Sequence, residues 1–261
     1  MEPITRGGLE LANEFILNTI AFKNDLDDGV SQANFVNIVA KLGFDAIEIR
    51  NEFLFGNNEE LDKISQNANA AGLDVYYSVN DVLIKQGRVN DQLTKYKDEM
   101  KRLSAKHLKL NIGDISSMNF ALINQQLKSF LNGKFDLVLE NNQTIADSNL
   151  TNTEAFFKEL DNSLYHQIYY CFDIANWKWL HENIDSATKI LSGYTKYLHL
   201  KNVVGNSDHY TVTSLDEGSL DWRSLINQFR NVDQYGIEYT GQTKTIKSDL
   251  EAIKKTLTAS K

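Results

Sequence analysis

Glu140, Asp173, His199 and Glu238 are the residues of this 261-residue chain whose types and spacing most directly suggest chemistry. Gaps of 33, 26 and 39 residues separate them, and each lies at or near the end of a short apolar run. Those runs are Phe135–Asn141, Gln167–Asp173, Tyr194–Lys201 and Gln234–Tyr239. Three carboxylates and an imidazole suit a hard or borderline divalent ion. Mn²⁺, Mg²⁺ or Co²⁺ is expected before Zn²⁺, which prefers more nitrogen or sulfur. Three like charges at close quarters do not all stay ionised without a cation, so a metal ion would also explain the cluster.

The elements that must position these residues follow from the hydrophobic pattern. Four earlier runs, Glu14–Ile20, Phe44–Arg50, Leu73–Val79 and His107–Ile112, complete a set of eight. Amphipathic stretches follow them at Ser31–Leu42, Asn58–Ala71, Asp91–Leu103, Phe120–Leu131, Thr153–Leu160, Trp177–Leu191, Leu220–Phe229 and Ser248–Leu257. Strands alternating with helices imply parallel pairing. Eight such units predict a closed (β/α)8 barrel, and about 250 residues is the usual size of that fold as one domain, here 1–261. Glycine after Leu42, Ala71 and Asn132 marks helix ends. No GxGxxG or GxxxxGK loop is present, which weighs against an open nucleotide-binding sheet.

Strand side chains alternate faces, so the apolar positions that meet the helices leave the others pointing into the barrel. The predicted inward set is Glu48, Arg50, Ser78, Lys109, Asn111, Glu140, Asp173, His199, Lys201 and Glu238. Cys171 faces inward lower down and reads as core. So many buried ionisable groups need partners, because desolvation costs several kcal/mol each. The plain alternative to a metal site is a structural ion-pair network.

Composition narrows the classes. Apolar residues make up 42%, enough for a sizeable core, yet no run approaches the roughly 20 residues that span a bilayer. The formal charge of −8 argues against a phosphate backbone as partner, and no membrane partner is expected. The single cysteine forbids an intrachain disulfide and fits a cytoplasmic setting. Met1–Gly8 lacks the apolar core of a signal peptide. With Pro3 as the only proline, nothing reads as an interdomain linker.

Four segments in order, Leu137-Val138-Leu139-Glu140-Asn141, Phe172-Asp173-Ile174-Ala175-Asn176, Leu198-His199-Leu200-Lys201-Asn202 and Gly236-Ile237-Glu238-Tyr239, give the chain a resemblance to the xylose isomerase-like TIM barrels. That superfamily includes sugar phosphate isomerases and epimerases. Leu215–Trp222 is similar to the family's segment after the seventh strand. The resemblance implies that Glu140, Asp173, His199 and Glu238 hold one divalent ion. It also implies that Glu140 and Glu238 move a proton on a small sugar, sugar phosphate or related polyhydroxy carbonyl compound, through an enediolate that the metal stabilises. Glu48, Arg50, Lys109, Asn176 and Lys201 are the candidate substrate contacts. The chain departs from the family at Asn176, where a histidine is common, at Gly205, where an arginine is, and at Ala146, where a glutamate is. Ketose 3-epimerase specificity is therefore not implied.

Other functions use the same scaffold. A dehydratase acting on an inosose or dehydroshikimate begins with the same proton abstraction and needs an acid for the leaving hydroxyl. Lys109 would serve if burial lowered its pKa. A non-catalytic metal- or sugar-binding barrel is a third reading. An endonuclease IV-type site needs several more histidines than His107, His166, His181, His199 and His209 supply. Trp177 and Trp179 could wall a sugar but more commonly pack a core. Asp208 and His209 lie where lids often form.

Overall fold

The computed structural model describes residues 13–206 and 209–259. Met1–Gly8, Pro3 and Asp208 fall outside that range. Eight parallel strands close into a barrel: β1 (Glu14–Asn18), β2 (Ala46–Arg50), β3 (Asp74–Lys85), β4 (His107–Gly113), β5 (Asp136–Glu140), β6 (Ile168–Asp173), β7 (Thr195–Leu200) and β8 (Gln234–Ile237). Each strand pairs with its chain neighbours, and β1 with β8 completes the ring. A principal helix follows every strand: α1 (Val36–Leu42), α2 (Asn58–Ala71), α3 (Leu93–Leu103), α4 (Phe120–Leu131), α5 (Leu150–Glu159), α6 (Ile184–Leu191), α7 (Trp222–Ile226) and α8 (Thr243–Ala259). Among the described residues no helix is long and apolar enough to cross a membrane.

Local chemistry sets the helix boundaries. The side chains of Asn57, Asn119, Asn149 and Asn183 each accept from a backbone N–H in the first turn of α2, α4, α5 and α6. Gly43 and Gly72 close α1 and α2 in the left-handed conformation, which glycine adopts without steric cost.

The pleat sorts side chains into two regions. Outward residues such as Ile47, Val75, Leu110, Leu137, Leu139, Phe172, Leu198 and Ile237 pack against the helices. Inward residues Ile16, Ala46, Tyr76, Val138, Tyr169, Cys171 and Tyr197 fill the barrel floor. His107 is buried among the floor rings, its centroid 3.8 Å from that of Tyr76 and its Nδ1 3.2 Å from the Tyr169 hydroxyl. The next inward layer, toward the strands' C-terminal ends, is polar. It contains Glu48, Lys109, Asn111, Glu140, Asp173 and His199.

Three segments differ from the sequence expectation. Strand β3 runs on past Val79 to Lys85 through a register shift between Ser78 and Val82, and folds back on Arg88–Val89. The stretch Trp177–Leu191 is not one helix. A 3₁₀ turn at Asn176–Lys178 is separated from α6 by His181, whose φ of 54° lies in the left-handed region. The segment after β7 is not an irregular loop, because Asn202–Asn206 and His209–Thr213 pair as an antiparallel hairpin.

Gly236 ties the wall to the polar layer. A Cβ there would lie 2.4 Å from the Tyr197 hydroxyl, which itself donates to Glu48 at 2.9 Å. Gly236→Ala is expected to cost about 1–3 kcal/mol through overpacking. That corresponds to a fall in Tm of roughly 2–4 °C for each kcal/mol. Thermal unfolding of Gly236→Ala and of Gly236→Ala/Tyr197→Phe checks it: removing the hydroxyl is expected to recover part of the loss.

Candidate metal centre

The end of each late strand delivers one side chain to the same point. Glu140 closes β5, Asp173 closes β6, His199 precedes the last residue of β7, and Glu238 directly follows β8. One ligand atom from each of the four lies within 4.8 Å of all the others. Cross-strand register explains this, because Asp173 stands opposite His199 and Gly236 also stands opposite His199. His199 Nδ1 is 2.6 Å from Glu140 Oε1 and 3.4 Å from Glu238 Oε2.

Three cations share the cluster with a fourth carboxylate, Glu48. Lys109 Nζ, at the centre, lies 2.6 Å from Glu140 Oε2, 3.0 Å from Glu48 Oε1 and 3.4 Å from both ring nitrogens of His199. Lys201 Nζ bridges Asp173 Oδ2 at 2.7 Å and Glu238 Oε2 at 2.8 Å. Arg50 Nη1 reaches Glu238 Oε1 at 2.9 Å and pairs at the rim with Glu52. Of the sequence candidates for substrate contact, Glu48, Arg50, Lys109 and Lys201 are thus drawn into the carboxylate cluster. Asn176 instead donates to the Asn141 carbonyl at 2.7 Å and offers its backbone N–H to Asp173.

Two contributors were not among the sequence candidates. Asn18, ending β1, donates to Glu48 at 2.6 Å and to Glu238 at 3.4 Å. Tyr197, two residues before His199, donates to the other oxygen of Glu48. Both follow from the alternation rule, since Asn18 shares a face with inward Ile16 and Tyr197 shares one with His199.

Electrostatics hold most of this ionised. Burial pushes Glu48 up, but Lys109 and then His199 outweigh it and place the carboxyl far below its usual range. For Glu238, burial is likewise overcome by Lys201, His199 and Lys109. Glu140 is lowered against burial by His199 and Lys109. Asp173 goes the other way: burial lifts it to about 6 and Lys201 offsets only part of that. Burial also disfavours the Lys109 ammonium, yet Glu140 and Glu48 prevail and keep it charged well above the usual lysine range. Cys171 is pushed up to about 12, chiefly by burial, and stays a neutral thiol.

The ion-pair network is extensive: Glu140 Oε1 is 2.6 Å from His199 and Asp173 Oδ2 is 2.7 Å from Lys201. Oxygen and imidazole donors gathered on one point fit a divalent ion.

Other candidates fall elsewhere. Trp177 is core, packed on Phe172, whereas Trp179 meets Tyr210 of the hairpin edge-on at 5.4 Å. His166, His181 and His209 are exposed, and the described residues place none of them in the cluster.

No protein-family model matches the chain. No curated protein matches it either. Solved structures do. A xylose isomerase domain protein from Alicyclobacillus acidocaldarius superposes with a TM-score of 0.65 at 11% identity, covering 95% of this chain and 99% of that one. The fold is that of the xylose isomerase-like barrels. A probable 3-DHS dehydratase, AsbF, from Bacillus anthracis gives a TM-score of 0.67 at 15% identity, covering 92% and 98%. A D-psicose 3-epimerase from Clostridium cellulolyticum gives 0.65 at 13%, covering 94% and 99%. The same fold serves a family 2 AP endonuclease from Brucella melitensis, so shape alone does not select a substrate.

The floor beneath the centre makes a pH prediction. Burial lowers His107 from 6.5 to about 3, with Lys109 and His199 adding to the fall and Glu48 opposing it. Between those values the unfolded chain binds a proton at His107 that the folded chain does not, so stability falls as pH falls through this window. Denaturant unfolding from neutral pH to about pH 4 should show a smaller acid-side loss for His107→Gln than for the wild type. Equal losses would contradict the assignment of a neutral, buried imidazole.

Proposed function

We propose that the chain is a divalent-metal-dependent isomerase or epimerase of a small polyhydroxy carbonyl compound. The observation that carries this reading is the convergence of Glu140, Asp173, His199 and Glu238 at the C-terminal ends of four consecutive strands. That is the face on which barrel enzymes of this type place their chemistry. These four residues would hold the ion, with Mn²⁺, Mg²⁺ or Co²⁺ preferred by the donor set. When bound, the ion would supply Lewis acidity at a substrate carbonyl and make the neighbouring C–H easier to ionise.

The chain's own residues would do the rest. Glu140 and Glu238 approach His199 from β5 and β8, so they can address one reacting carbon from two sides. Lys109 helps to hold both ionised and thus able to accept a proton. One carboxylate takes the proton and either returns it at the adjacent carbon or lets the other return it on the opposite face. These two routes correspond to isomerisation and epimerisation. Asn18 and Arg50 fix the Glu238 carboxylate in place. The likeness to D-psicose 3-epimerase supports the reading through fold alone.

A dehydratase is the second reading, favoured by the likeness to a probable 3-DHS dehydratase. It shares the first proton transfer and differs in losing water. Incubation in D2O with Mn²⁺ or Mg²⁺ and a panel of small ketoses, their phosphates, inososes and dehydroshikimate separates the two by mass spectrometry. Exchange of deuterium at the carbon next to the carbonyl, without loss of water, is expected. A product lighter by one water would select the dehydratase. No exchange on any member of the panel would contradict proton transfer altogether.

Glu238→Gln keeps the shape and removes the proton acceptor. Turnover on a substrate found in that panel should fall by about 10²–10⁴-fold with the fold retained by circular dichroism. Near wild-type turnover would refute the two-carboxylate scheme.

A further inference from the structure

An ammonium ion and a metal ion would compete for the same two oxygens in this centre. Asp173 Oδ1 already accepts from the backbone N–H groups of Ala175 and Asn176, at 2.8 and 2.9 Å. Glu238 Oε1 accepts from Arg50 at 2.9 Å and from Asn18 at 3.4 Å. Each carboxylate therefore has one oxygen left for an ion, Asp173 Oδ2 and Glu238 Oε2. Lys201 Nζ sits on both, at 2.7 and 2.8 Å. Two cations at such separations repel strongly in a site this buried. A divalent ion that takes these oxygens must push the ammonium away.

A displaced ammonium still needs a counter-charge, because an unpaired buried charge is strongly destabilising. Among the described residues, the cluster holds no spare one. Glu48, Glu140, Asp173 and Glu238 contribute four negative charges, and Lys109, Lys201, Arg50 and the His199 imidazolium, 2.6 Å from Glu140, contribute four positive ones. A divalent ion that takes the place of the imidazole proton would turn that balance into a net +1. Glu52 offsets Arg50 at the rim, but its side chain is 28% exposed and water screens it. Lys201 follows β7 at the barrel mouth, and its long flexible stem lets the ammonium swing toward the opening.

We propose that the substrate carries an oxyanion, a phosphate or carboxylate substituent, and that Lys201, displaced by the metal ion, binds it together with Arg50. The inference rests on the metal-dependent reading above and adds the substrate class.

The test uses the full chain saturated with Mn²⁺, with metal binding established first by electron paramagnetic resonance. Dihydroxyacetone, hydroxypyruvate and dihydroxyacetone phosphate share a hydroxyketone and differ in charge. Calorimetry should show at least one charged probe binding about tenfold or more tighter than the neutral one, and the carboxylate and phosphate arms identify which oxyanion is preferred. Lys201→Met should lose that preference. If this variant does not fold, wild-type labelling decides. Amine acylation of Lys201, read by peptide mass spectrometry, should rise when Mn²⁺ is added and fall again with the preferred probe. Mn²⁺ binding with equal affinities for all three probes, or with Lys201 labelling unchanged, overturns the inference alone. No Mn²⁺ binding overturns the inference and the metal-dependent reading together.

Discussion

Four carboxylates stand at the mouth of one barrel where almost no water reaches them, and much of the local design follows from balancing their charge. Glu48 and Asp173 are fully buried, and Glu140 and Glu238 nearly so. In water such groups repel weakly. In a protein interior the repulsion and the desolvation cost grow together. The chain answers with Lys109 on β4, Lys201 after β7 and Arg50 on β2, so that cations drawn from three different parts of the ring meet anions from four. Removing Lys201 would leave Asp173 without its charge partner, and removing Lys109 would leave Glu48 with His199 alone.

The floor below serves the same end by different means. Tyr76, Tyr169, Tyr197 and His107 pack as rings where a smaller barrel residue would leave space. They also carry polar atoms into the interior. Tyr197 uses its hydroxyl to support Glu48, which in turn supports Lys109. The carboxylates of the cluster thus rest on a chain of contacts that reaches down into the core. Rigid support of this kind is what keeps reacting groups within the narrow geometry that proton transfer demands.

Much of this was legible in the sequence because a strand repeats every two residues. Once Leu137 and Leu139 are assigned to the helix side, Glu140 must point inward, and the same logic places Asp173, His199 and Glu238. The barrel followed from eight strand and helix units. Partners across the ring were not legible. Asn18 and Glu48 are 30 residues apart, and Asn18 and Glu238 are 220 apart, so only closure of the barrel brings them together. Nor did periodicity reveal the break at His181 or the hairpin after β7. Both depend on local backbone geometry and tertiary contact, such as Trp179 against Tyr210. Alternation places Lys109 inward, but its charge state depends on how many anions surround it, a property of the closed ring.

We propose that this carboxylate and imidazole cluster holds one divalent ion. A crystal grown with Mn²⁺, with diffraction collected at the manganese absorption edge, tests it most directly. A single anomalous peak per chain in contact with Glu140, Asp173, His199 and Glu238 is expected. A map with no peak at the barrel mouth, Lys109 and Lys201 still seated on their carboxylates at saturating Mn²⁺, would contradict it.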